Sequence, residues 1–158
     1  MAAVNAVVTL TFAANAIAAE TVTIGGKVYT WAAAYANTDG LVVVGGTAAA
    51  SAQNLFDAIN LTPSALGVTV GAVTTLNAQV RAITVTATTV VFQSKIPGTI
   101  GNLIPSTETM TQGSFGTATL ISGTGDAAFD LLTILNTMQM SAGVAQALRE
   151  LAFDPASV

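Results

Sequence analysis

Residues Thr21 to Trp31, TVTIGGKVYTW, constrain the fold more than any other stretch of the chain. The alternation is that of a strand, and Gly25-Gly26 supplies two adjacent residues that tolerate positive φ, as the type I′ turn of a two-residue hairpin requires. With that pair as the loop, Ile24 faces Lys27, Val22 faces Tyr29 and Glu20 faces Trp31. Thr21, Thr23, Val28 and Thr30 fall on the opposite side. One face is bulky and the other mostly hydroxylated, so the hairpin predicts a sheet with one buried side.

Period two recurs along the first 122 residues. VVTLTF reads as a first strand, LVVVGG (Leu41–Gly46) as a short buried strand, and GVTVGAV, VRAITVTAT and VVFQSK as further strands, the last two joined by a tight turn near Thr88 and Thr89. IPGTIGN is turn chemistry, and TETMTQGSFGTATL reads as a strand, a glycine-flanked loop and a final short strand. TAAASAQNLFDAIN breaks the pattern: Thr47 can cap a helix, and Ala48, Ser51, Ala52, Leu55, Phe56 and Ile59 form a stripe at helical spacing. Asn60 and Pro63 stop it.

These elements predict a mainly β (α+β) fold: an antiparallel β-sandwich or barrel-like domain over residues 1–122, with one packed helix near 47–60. After Gly125 the period changes. Asp126 can cap a second helical region in which Phe129, Leu132, Leu135 and Met138 recur at helical spacing, and Leu131 and Ile134 widen the stripe beyond what a singly packed helix needs. Ser141 and Gly143 interrupt it before Val144, Leu148 and Leu151 resume. Residues 123–158 therefore read as a C-terminal helical arm, and Phe129, Leu131, Leu132, Ile134, Leu135, Met138, Val144, Leu148 and Leu151 as a candidate interface.

Composition bears on what such a fold can do. Charged residues make up 8% of the 158 residues, against about 25% in an ordinary soluble domain. A surface this poor in charge suits a chain covered by copies of itself, in a closed oligomer with a trimer as the first expectation. The net charge is −4, and only Lys27, Arg81, Lys95 and Arg149 are positive, so no basic patch is available for direct nucleic-acid binding. The uncharged start, MAAVNAVVTLTFAANAIAA, lacks the basic n-region of a signal peptide and is interrupted by Asn and Thr, and no run is apolar enough for a membrane span.

Catalytic chemistry finds little support. The chain has no histidine and no cysteine, which removes Ser-His-Asp and Cys-His sites, ordinary zinc sites and disulfides. Asp126 and Asp130 share a helical face but read as first-turn acids complementing a helix dipole. The glycines of IGGK, VGGT and PGTIGN complete no phosphate-binding pattern. Tyr29, Trp31 and Tyr35 offer an aromatic platform for a sugar, yet the hairpin's bulky face reads better as core. The expectation is a non-enzyme with no cofactor and no metal.

Four stretches in order, TVTIGGKVYTW, VVVGGTAAASAQNLFDAIN, SKIPGTIGN and TETMTQGSFGTATL, resemble a module recurrent in tailed-bacteriophage virion structural proteins. In it a TVTI-G-G-x-x-YT hairpin precedes an NL-x-x-AIN helix, a G-T-x-GN turn and a T-G-S-x-G-x-A-T ending. The resemblance covers Val7 to Ile121. TTVVFQSKIPG is shorter and more apolar than its counterpart, and the C-terminal arm has none. The module occurs in head- and tail-associated proteins alike. The resemblance implies a virion-located structural assembly protein, first a capsid cement or decoration protein bound to its own copies and to the major capsid protein. A tail or baseplate component is the alternative within that class, and a receptor- or glycan-binding module the alternative outside it.

Overall fold

A computed structural model describes residues 3–125 of the chain. Eight strands and one helix follow in the order β1 (Asn5–Phe12), β2 (Thr21–Ile24), β3 (Lys27–Ala32), β4 (Leu41–Val43), α1 (Ala48–Asn60), β5 (Val80–Val85), β6 (Thr89–Pro97), β7 (Ser106–Glu108) and β8 (Gly113–Phe115), with a 3-10 turn at Thr99–Leu103 between β6 and β7. They form two four-stranded sheets, ordered β5-β6-β1-β8 and β4-β3-β2-β7. The mainly β, sandwich-like class follows.

The hairpin has the register that its sequence dictates: Val22 pairs with Tyr29 and Ile24 with Lys27, and Gly25 and Gly26 sit at φ 58° and 73°. Val22, Ile24, Tyr29 and Trp31 turn inward and are buried. They meet Leu10, Phe12, Val90 and Phe92 of the other sheet in one core. Phe12 and Trp31 join the two layers edge to face, with ring centroids 6.1 Å apart. Each such buried side chain contributes roughly 1.5–3 kcal/mol relative to exposure.

Helix α1 begins where its cap predicts. Thr47 is extended and its side chain accepts the Ala50 N–H at 3.2 Å. Ala52, Leu55, Ala58 and Ile59 enter the core, and the helix packs on β4, β5 and β6. It ends through Leu61, a non-glycine residue in the left-handed region at φ 52°. Asn60 does more than stop the helix: its side chain donates to the Ala82 carbonyl at 2.9 Å and accepts the Ala82 N–H at 3.1 Å, closing the open edge of β5.

Three expectations need correction. The sheets are not wholly antiparallel, because β4 runs parallel to β3. The chain leaves β3 at Ala32 and returns through residues 33–40 to lay a three-residue strand back alongside. GVTVGAV is not a strand. The N–H groups of Val68, Thr69 and Val70 all donate to the Ala65 carbonyl, which winds the segment into a turn, and only Thr69–Gly71 touches the edge of β4. Third, the glycine-flanked GSF forms β8 along β1 instead of a loop. Gly113 serves close approach here, since a Cβ on it would stand 3.0 Å from the Thr11 carbonyl oxygen, and Phe115 packs on Phe92. The following TATL makes only single bridges, at Thr119 to Pro105 and, just beyond it, Ile121 to Val7. The C-terminal arm expected over 123–158 lies outside the described residues from 126 onward.

Candidate assembly surface

The interface expected from the arm (Phe129, Leu131, Leu132, Ile134, Leu135, Met138, Val144, Leu148 and Leu151) lies outside the described residues. What the described residues present for contact are the outer faces of the two sheets.

On the β4-β3-β2-β7 sheet, strand pairing puts Thr21 beside Thr30, and Thr23 beside both Val28 and Thr107. The alternate positions of these strands point into the core, so the outer face carries Thr21, Thr23, Thr30, Thr107 and Val28, with Ala32, Leu41 and Val43 continuing it toward β4, and no charge. Thr109 continues it: its hydroxyl accepts the Thr21 N–H at 2.8 Å and lies 3.2 Å from the Thr21 hydroxyl. Val28, Thr30 and Thr107 are exposed. The outer face of the other sheet is similar in kind, pairing Thr9 with Val91 and Thr11 with Thr89. It carries two cations: Arg81 lies along Gln93 and donates twice to Gln93 Oε1, at 3.0 and 2.6 Å, and Lys95 stands at the next outward position of β6.

Every charged side chain between residues 3 and 125 is engaged within the chain. Lys27 Nζ donates to Asp39 at 2.8 Å and to the Thr75 hydroxyl at 2.7 Å, and Lys95 Nζ donates to the Asn77 carbonyl. Glu20 accepts from the Thr111 N–H at 2.8 Å and its hydroxyl at 2.7 Å. Asp57 accepts from Gln53, and Glu108 from the Met110 N–H. The bond from Lys27, helped by the Thr75 N–H, holds the Asp39 carboxyl below its usual range. Desolvation pushes Glu20 up, but the Thr111 bonds and the Ile17 N–H outweigh it and the net shift is downward. Each charge thus has a partner within the chain, although Asp39 remains half-exposed.

The aromatic platform is not available for stacking. Tyr29 and Trp31 are 1% and 2% exposed, leaving only Tyr35 at the surface. Burial, partly opposed by a bond from Asn77, pushes the Tyr29 hydroxyl up to about 12, so it stays neutral. Among the described residues no three or more carboxylate side chains come together as a metal site would need, and no helix is long and apolar enough to cross a membrane.

Sequence reading misses the residues that tie the layers together. Asn77 is fully buried. Its Nδ2 donates to the Ile24 carbonyl at 3.0 Å, while its Oδ1 accepts the N–H groups of Gln79 and Val80, both at 3.0 Å. It thus links the hairpin turn to the start of β5. Ser94 joins neighbouring strands of one sheet, β6 and β1, accepting the Ala6 N–H at 3.0 Å and donating to the Ile96 carbonyl. Nothing local marks either residue, since a buried Asn or Ser in a loop or strand looks like any other.

No protein-family model matches the chain, and no curated protein resembles it significantly in sequence. The mainly β sandwich-like class therefore rests on the chain's own geometry.

Proposed function

We propose that the chain is a structural assembly protein of a tailed-phage virion, a cement or decoration subunit that stabilises the head through contacts with its own copies and with the major capsid protein, and that it is not an enzyme. The observation that carries this reading is that every described charge has a partner within the chain, while the outer face of β2, β3 and β7 carries threonines and no charge. Burying an unpaired charge at an interface costs several kcal/mol, whereas a hydroxyl that finds a partner across the contact costs little and supplies direction. A face of this kind tiles readily against neighbours. The four-motif resemblance to virion structural proteins supports the same reading.

Electron microscopy of intact particles tests it. The reading expects density of this size and sandwich shape on the capsid lattice at symmetry-related positions. Density confined to the tail would replace the cement role with the tail alternative, and particles without such density would end the virion reading.

A further inference from the structure

We propose that β8 is the edge along which two copies of the chain join, strand to strand about a two-fold axis, so that their four-stranded sheets run on into one another. An edge strand carries a row of N–H and C=O groups open to pairing. At the other sheet edges the chain supplies cover itself. On β5, Asn77 accepts the Val80 N–H and Asn60 takes both backbone groups of Ala82. On β4, the Val43 N–H donates to the Thr69 carbonyl and the Leu41 carbonyl accepts the Gly71 N–H. On β7, the Ser106 N–H donates to the Ala118 carbonyl and the Ser106 hydroxyl to the Thr117 carbonyl, both at 2.9 Å.

β8 differs. The Phe12 N–H donates to the Thr88 carbonyl, so Leu10 and Phe12 bond toward β6 and Thr9 and Thr11 bond toward β8; the Gly116 N–H accordingly donates to the Thr9 carbonyl at 3.3 Å. Ser114 thus pairs with Thr11 through its backbone, and the N–H and C=O groups of Gly113 and Phe115 point away from β1. Among the described residues none of those groups has a hydrogen-bond partner. Exposed edges are ordinarily blunted by charge, proline or cover, yet residues 109–125 contain no charge and no proline. The nearest charge in sequence, Glu108, is engaged by the Met110 N–H at 3.1 Å.

A second copy is the occupant that this edge fits. Antiparallel pairing centred on Ser114 sets Gly113 opposite the partner's Phe115 and Phe115 opposite the partner's Gly113, which bonds every outward group of both strands. About the same centre, Thr111 falls opposite the partner's Thr117. With neither strand charged, no like charges oppose one another across the ladder. β7 packs beside β8, so the uncharged threonine face on which Thr107 lies adjoins the open edge and continues the contact onto the second sheet. The edge gives the self-association of the assembly reading a particular place, and because its test uses no particle, either can fail alone.

The chain has no cysteine, so an introduced one reports contact between copies without background. At the axis, Ser114 meets the partner's Ser114 as a non-hydrogen-bonded pair with Cα atoms about 4.5 Å apart, inside the roughly 4.4–6.8 Å that a disulfide spans. Ser114→Cys is compared with Thr84→Cys, an exposed position on β5 at the opposite edge of the same sheet. After mild oxidation of the full-length protein, non-reducing electrophoresis is expected to show an interchain dimer for Ser114→Cys, formed at least about tenfold faster than for Thr84→Cys. Ser114→Lys sets two ammonium groups against each other at the axis. It should weaken association at least about tenfold in sedimentation velocity while keeping the strand signal in circular dichroism. A parent chain that stays monomeric at tens of micromolar, equal cross-linking rates at the two positions, or an association that Ser114→Lys leaves unchanged would overturn the edge contact. If Ser114→Lys loses its strand signal, the cross-linking rates decide alone.

Discussion

The two glycines of the β2-β3 turn are equivalent in sequence but not in their surroundings, and this sets up an unequal response to mutation. Both hold left-handed backbone, at φ 58° for Gly25 and 73° for Gly26, so alanine at either position meets a penalty of about 1–2 kcal/mol, reduced by the smaller entropy of the unfolded chain. At Gly26 nothing lies within 4 Å of the new Cβ, and Gly26→Ala is expected to cost about 1 kcal/mol. At Gly25 the Cβ would stand 3.0 Å from Asn77 Oδ1 and 3.1 Å from the Gln79 Cβ. That contact pushes on the buried amide that satisfies Gln79 and Val80, and each of those bonds is worth about 1 kcal/mol. Gly25→Ala is therefore expected to cost about 2–4 kcal/mol, and replacing both glycines by Val more still. The assay is built in: Trp31, the one tryptophan of the chain, is 2% exposed, so its fluorescence follows unfolding of the core. At about 3 °C per kcal/mol for a chain of this size, Gly26→Ala should lower the melting temperature by about 3 °C and Gly25→Ala by about 6–12 °C. Equal shifts, or a milder effect at Gly25, would refute the reasoning.

Asn77→Ala should cost about 2–4 kcal/mol in denaturant titration, because it leaves the Ile24 carbonyl, the buried Val80 N–H and the half-buried Gln79 N–H without this partner; a cost under about 1 kcal/mol would contradict its linking role. Asp39 has its folded carboxyl held below the unfolded value, chiefly by Lys27, so its contribution is present above about pH 4 and lost as pH falls through the lower folded value. Asp39→Asn should thus be slightly less stable than the parent at neutral pH, by at most about 1 kcal/mol for a half-exposed pair, with the gap closing on acidification; a gap that stays constant down to pH 2.5 would show that the ion pair plays no part. Thr30→Glu with Thr107→Glu puts two charges on the exposed threonine face, and should leave the melting temperature nearly unchanged while abolishing self-association in sedimentation velocity. An oligomer that survives both charges would remove that face from the assembly surface.

The features legible in the sequence are those written in neighbouring residues. The hairpin register follows from Gly25-Gly26 and the alternation around it, the helix start from Thr47, and the first strand from VVTLTF. What was not legible depends on contacts between distant positions. Asn60 closing the edge of β5, Asn77 reaching the hairpin turn and Ser94 holding Ala6 join residues 22, 53 and 88 positions apart. Alternation also misleads where a segment's amides have another acceptor, as at the Ala65 carbonyl, which takes the N–H groups that a strand over Val68–Val70 would have used. Gly113 misleads in the opposite direction, because a glycine reads as a turn whether it supplies positive φ or close approach. Within the candidate surface, the hydroxylated face was visible from TVTI alone.

The central claim is that this chain is a stoichiometric part of a phage particle. Quantitative mass spectrometry of gradient-purified virions, in which peptides of this chain are counted against those of the major capsid protein, tests it most directly. The account predicts a fixed, reproducible ratio consistent with a lattice-bound subunit, retained through repeated purification. Peptides that remain in the infected-cell lysate and vanish from purified particles would contradict it.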